Sequence, residues 1–199
     1  MRDNRGMPAA DDADISEPAA ADDTGRARRR IGLFAAVGLL VLLLDIVSKA
    51  LVVANLPLGD RPVRVLGGAI YVDQTRNSGA AFSLGTGFTV ILTVLAVAVV
   101  VLIVRVAPRL RSVGWAVALG LILGGALGNL ADRLFRSPGV GRGHVVDWIS
   151  LFGPDGRYWP IFNLADSAIV CGAVLAALLA LLGVEFDGRR HRGSGREHG

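Results

Sequence analysis

Histidine and cysteine are scarce in this 199-residue chain: three of the first, one of the second. The lone cysteine, Cys171, lies inside an apolar run, so no internal disulfide can form and no cysteine-based zinc site can be built. Two histidines, His191 and His198, fall in the C-terminal tail, which leaves His144 alone in the body of the chain. That excludes a Ser-His-Asp triad and argues against a histidine metal site. HExxH, a phosphate-cradling glycine loop and an activated-cysteine setting are missing as well. The net charge of +4 and a pI near 10.2 raise the question of nucleic acid. The basic residues flank apolar runs, however, and form no stripe interleaved with aromatics, so no nucleic-acid partner is expected.

Apolar side chains are what the chain has in plenty. They make up 52% of the residues, and the mean hydropathy is +0.52, values typical of a membrane protein. A bilayer crossing takes about 20 mostly apolar residues. Four runs meet that length, at about 31–53, 88–106, 113–134 and 161–184. The stretch 1–30 is expected to be a disordered N-terminal extension, its first part rich in Ala, Asp and Pro. It does not resemble a signal peptide. Residues 185–199 read as a basic disordered tail, and 31–184 as one four-span membrane domain.

Four crossings put both termini on one side. The N-terminal extension holds six Arg, the connection RVAPRLR three, and the C-terminal tail four, which places thirteen basic residues on the terminus side against eight elsewhere. By the positive-inside rule both termini face the cytoplasm, and the connections at about 54–87 and 135–160 face outward. The first of these has short strand-like runs, 63–66 and 69–73, broken by Gly-Gly, and reads as a small surface sheet or hairpin. Gly120, Gly124 and Gly128, spaced by four in the third run, allow close helix approach in lipid.

Polar residues collect at the outer ends of these runs. Asp45 and Lys49 are four apart on one helix face; a structural ion pair accounts for them as well as a place in a site does, and a snorkelling lysine is a further reading. Asn77 precedes the second span. Asn129, Asp132 and Arg133 close the third. Asp147 stands amid Val, Trp and Ile, and Asn163 and Asp166 open the fourth. A capping arrangement with a favourable helix dipole explains Asn163 and Asp166 by themselves. It does not explain Asp132 at the far end of its helix, or Asp147. Ionisable groups gathered at one membrane surface point to a site. With no histidine, cysteine or metal chemistry on offer, the reading is a carboxylate pair that shares a proton and activates water against a peptide bond, with no cofactor or metal required. Asp132, Asp147 and Asp166 compete for its two places. The alternative is a small ion- or proton-coupled transport subunit.

Five blocks in order, LDIVSK, NSGAAFSL, GGALGNLADRL, VVDWI and FNLADSAI, resemble those of the lipoprotein signal peptidases, the type II signal peptidases of bacteria. The resemblance covers about residues 45–172. It implies an integral membrane aspartic endopeptidase that removes the signal peptide of a prolipoprotein just before a diacylglyceryl-modified cysteine. Its implied fold is all-α, four transmembrane helices with a small extracytoplasmic β-cradle and a short outer helix. It also implies that Asp147 and Asp166 form the catalytic pair. Asp45, Lys49, Asn77, Asn129, Arg133 and Asn163 then bind substrate or order the site, and Asp132 joins that group without a defined role. The expected location is the bacterial inner membrane with the site at its outer face, and the expected partners are lipid-modified prolipoproteins and membrane lipid, with the protein a monomer.

Overall fold

The computed structural model describes residues 17–79 and 86–186. The tails 1–16 and 187–199, expected to be disordered, lie outside the described residues, as does most of the NSGAAFSL block. Four helices carry the chain: α1 (Glu17–Asn55), α2 (Thr86–Val106), α3 (Val113–Phe135) and α4 (Leu164–Leu181). Each contains a segment long and apolar enough to cross a membrane. Large side chains such as Leu39, Leu43, Leu95, Leu102 and Leu178 point outward, as suits a lipid solvent.

α3 is the central helix. More than half of its span is buried, against about a sixth of each of the others. Its glycines explain the difference. A Cβ at Gly120 would meet the Phe34 carbonyl and Val37 at 2.9 Å, and one at Gly124 would strike Gly38 and Val41, so this stripe lets the α1 backbone lie against α3. Gly125 approaches Ala165 and Ile169, and Gly172 approaches Ala118 and Ile122, so α4 is seated the same way on the other flank. Phe34, Ile103, Ala107, Leu110, Ala116 and Leu123 form the buried apolar cluster.

At one end of the bundle lies a three-stranded antiparallel sheet in the order β1 (Val63–Val65), β2 (Ile70–Asn77), β3 (Val145–Leu151). The Gly-Gly break is the β1–β2 turn, with Gly67 and Gly68 at φ of 69° and 102°, a region open to glycine at little cost. β2 pairs Val72 with Ile149 but Thr75 with Asp147. Three steps on β2 therefore match two on β3, which is a bulge of one residue. The opposite end is closed by the connections. Arg30 Nε donates to the Arg111 carbonyl at 3.0 Å, and Trp115 Nε1 to the Val184 carbonyl at 2.7 Å.

α1 begins at Glu17, ahead of the first apolar run; Ala and Arg there are strong helix formers, and Pro18 falls in the first turn, where it is tolerated. Past α4, the Phe186 carbonyl accepts from the Arg111 and Ser112 amides and its ring packs on Trp115 at 4.2 Å. The second outer connection supplies β3, whose VVDWISL run completes the sheet.

Candidate active site

Asp45 and Lys49, one turn apart on α1, are 0% and 1% exposed. The lysine does not snorkel. Its Nζ lies 2.7 Å from Asp45 Oδ2, 3.1 Å from Asp132 Oδ2 and 3.1 Å from Asn129 Oδ1. Three acceptors thus meet the three donors of one ammonium. The other oxygen of Asp45 accepts from the Ala165 amide at 3.0 Å, so a carboxylate on α1 satisfies a free N–H in the first turn of α4. The Asp45–Lys49 pair links α1 to α3 and α4 at the sheet end.

Asn129 and Asn163 carry that link towards the exposed side. Asn129 Nδ2 donates to Asp166 Oδ1 at 2.7 Å, while its Oδ1 accepts from Asn163 Nδ2 at 3.1 Å. Asn163 caps α4: its Oδ1 accepts from the Asp166 amide at 2.9 Å, and Asp166 Oδ2 accepts the Asn163 amide at 3.2 Å. This is the reciprocal capping box read from FNLAD. The Asn163 Nδ2 has a second task, donating to Asp147 Oδ1 at 2.6 Å. One side chain therefore holds Asp147 and Asp166 together. Phe162 brings it there, since the Trp148 and Ile149 amides both donate to the Phe162 carbonyl.

Asp147 is 2% exposed on β3, and its Oδ2 accepts from Asn77 Nδ2 at 2.8 Å. Side chains on neighbouring strands share a face when their residues are paired. The bulge sets Thr75 opposite Asp147, and two residues further on it places Asn77 on the same face. An unbulged β2 would have turned Gln74 and Arg76 towards Asp147. Burial pushes the Asp147 carboxyl up to about 6, and the Asp166 charge adds to that; the amides of Asn77 and Asn163 oppose it by stabilising the ionised form. Asp166 is half-buried and so remains accessible.

Asp132 has a different place. Arg136 Nε bonds one of its oxygens, while Lys49 and the Val146 amide, at 3.1 Å, take the other. Arg133, its neighbour in the chain, does not pair with it directly. Arg133 donates to the Asn129 carbonyl at 3.2 Å. Asp132 ties the end of α3 to the strand residue before Asp147. Arg136 was not singled out from the sequence, although its spacing of four from Asp132 at a helix end is a readable signal.

A cleft of about 330 Å³ lies over Asp147, walled by Thr75, Asn77, Asp155, Pro160 and Ile161 among others. An apolar groove of about 200 Å³ runs between α2, α3 and α4, along Leu92, Leu95, Ala126 and Ile169, to Asn129 and Arg133. Among the described residues no group of three or more His, Cys, Asp or Glu is arranged to hold a metal ion. The arrangement has two hydrogen-bonded carboxyl groups, one with a raised pKa, at the meeting point of a polar cleft and an apolar groove. It can activate a water against a polar bond in a largely apolar chain.

Residues 37–182 match the family described as signal peptidase (SPase) II. The chain is 52% identical over 163 residues to a lipoprotein signal peptidase of Rhodococcus jostii, covering 82% of this chain and 79% of that protein. It is 48% identical over 172 residues to a lipoprotein signal peptidase of Streptomyces coelicolor, covering 86% and 81%. Among solved structures it is similar to a bacterial membrane enzyme determined by the in meso method at 1.9 Å resolution, with a TM-score of 0.66 and 27% identity over 75% of this chain and 93% of that one. The transport alternative finds no support in these matches.

Proposed function

Since this chain belongs to the signal peptidase II family, we propose that it removes signal peptides from prolipoproteins with Asp147 and Asp166 as the water-activating pair. It is a multi-pass membrane peptidase, and the bond it cuts is the one just before the lipid-modified cysteine. The observation that carries the residue assignment is the double use of Asn163, whose amide holds Asp147 while its cap holds Asp166.

The pair carries one proton between its members, favoured by the raised pKa of Asp147 and by mutual repulsion. The ionised carboxylate takes a proton from water as the water oxygen bonds to the scissile carbonyl carbon. The protonated partner donates to the carbonyl oxygen as it gains negative charge. Collapse of the tetrahedral species breaks the C–N bond, and a proton from the pair goes to the departing amine. The peptide strand lies in the cleft over Asp147, and the apolar stretch before the cut lies in the groove between α2, α3 and α4. Asn129, Arg133 and Asn163 offer hydrogen bonds that lipid cannot provide to the peptide backbone. Asp45, Lys49 and Asp132 order the site from behind.

The enzyme works as a monomer in a bacterial inner membrane. Its termini, including the extension 1–30 and the tail 185–199, lie in the cytoplasm, the domain 31–184 spans the bilayer, and the sheet and site face outward. The charge bias supports this orientation: Arg-rich sequence flanks the end of the bundle away from the sheet.

The test is cleavage of a diacylglyceryl-modified prolipoprotein peptide by the purified protein. Asp147→Asn and Asp166→Asn should each lower turnover by at least about a hundred-fold, the scale of a lost acid–base group, while melting as cooperatively as the parent. An active Asp147→Asn beside an inactive but folded Asp132→Asn would overturn the assignment.

A further inference from the structure

A second polar cavity, of about 430 Å³, opens where α3 ends. It is lined by Arg76, Phe135, Arg136, Ser137 and His144. A groove of about 300 Å³ continues from it along the bundle, lined by Ile46 on α1 and by Ala131, Asp132, Phe135 and Arg136 on α3. Phe135 and Arg136 wall both, so the two spaces adjoin. One is basic; the other faces the hydrocarbon, with Phe135 86% and Ile46 44% exposed.

From this juxtaposition we propose that the protein binds an anionic phospholipid here, its phosphate held by Arg76, Arg136 and His144 and one acyl chain laid along the Ile46–Ala131–Phe135 groove. The charge balance calls for an anion. The Arg76 guanidinium has no hydrogen-bond or ion-pair partner among the described residues, while its backbone lies in the β2–β3 ladder. Arg136 gives its Nε to Asp132, yet Asp132 is already shared with Lys49 at 3.1 Å. Lys49 is also paired with Asp45, so these four charges balance and the Arg76 guanidinium is the positive charge in excess. Burial and the neighbouring Arg136 charge depress the Arg76 pKa, and the Asp132 carboxylate, already engaged by Arg136 and Lys49, offsets that only in part. A phosphate offers several oxygens to such a fork. A soluble anion would leave the groove unused, whereas a phospholipid fills both parts.

This site is distinct from the peptidase cleft. The β2 bulge turns Asn77 to Asp147 and sets Arg76 opposite Val146, although Arg76 also borders the cleft. The proposal requires only that the chain spans a membrane, and it stands whether or not Asp147 and Asp166 prove catalytic.

Native mass spectrometry of the full chain in a neutral detergent tests it, with phosphatidylglycerol or phosphatidylcholine of matched chains added. Phosphatidylglycerol should be retained in preference. Arg76→Gln should bind it roughly ten-fold more weakly, the loss of one charge-assisted contact, and Ala131→Trp should weaken it by blocking the groove. If Arg76→Gln fails to melt cooperatively, His144→Gln takes its place, with a weaker but measurable loss expected. Equal retention of the two lipids, or undiminished binding by the folded pocket variant, would overturn the proposal. So would inorganic phosphate displacing the lipid from the parent protein but leaving Ala131→Trp lipid binding intact, which would make the site one for a free anion.

Discussion

Asp147 is a carboxyl whose folded-state pKa, about 6, lies above its ordinary value of 3.8. The folded protein therefore holds this proton more tightly than the unfolded chain does. The associated stabilisation is fully present below about pH 4 and is lost as pH rises through about 6, a difference on the order of 3 kcal/mol. Asp147→Asn removes the titration, so its melting temperature should exceed the parent's by more at pH 8 than at pH 4, as differential scanning would show; an equal offset at both would mean the carboxyl is not strained. Asn77 stabilises the ionised form at 2.8 Å. Asn77→Ala should move the alkaline limb of the kcat/KM profile, where the pair loses its shared proton, to higher pH, and a limb that stays put would remove Asn77 from the site. Lys49 is the other residue with much at stake. Lys49→Met strands Asp45 and Asp132 without their ammonium, and a loss of about 3–5 kcal/mol is expected. Adding Asp45→Asn should recover part of it in denaturant titrations, whereas strictly additive losses would show that the pair is not coupled.

Among the elements, the contact between α1 and α3 sets the site's depth, because Gly128 lies against Asp45 and Gly124 against Gly38 and Val41. A β-branched side chain at Gly124 has nowhere to go without parting the helices. Gly124→Val should therefore lower the melting temperature and also cleavage, since Lys49 would be drawn away from Asn129. Gly32, in the same α1 but with nothing within 4 Å of an added Cβ, is the control. Gly32→Ala should be neutral or slightly stabilising, by up to about 1 kcal/mol from helix propensity. A Gly124→Val protein as stable and active as Gly32→Ala would show that the stripe is not a packing seam.

On the scale of the whole molecule, the sheet and both carboxyl groups occupy one end of the bundle, and the Arg30, Arg111 and Phe186 contacts occupy the other. Arg157 is exposed in the loop beyond β3, and Cys171 is the one native cysteine. In a Cys171→Ser background, Arg157→Cys should react with a membrane-impermeant maleimide on intact spheroplasts. Labelling only after lysis would reverse the orientation and place the site on the cytoplasmic side.

Hydropathy, charge flanks and short-range spacing are local properties, and they sufficed for the four helices, for the Gly-Gly turn, for the FNLAD cap and for the glycine seam. Helix pairs four apart are equally readable, Asp45 with Lys49 and Asp132 with Arg136. Which acid meets which base is not. Lys49 joins α1 to Asp132 and Asn129 across about eighty residues, and Asp45 reaches an amide on α4. Such partners are chosen by how closely the helices approach. The bulge in β2 is likewise invisible in composition, because one added residue changes only which face the following side chains occupy. It decides that Asn77 and not Arg76 meets Asp147. The sequence by itself determined that this is a four-span membrane protein with polar groups at one end; the tertiary structure alone decided which of those groups touch, because packing distance and strand register are set by residues far apart in the chain.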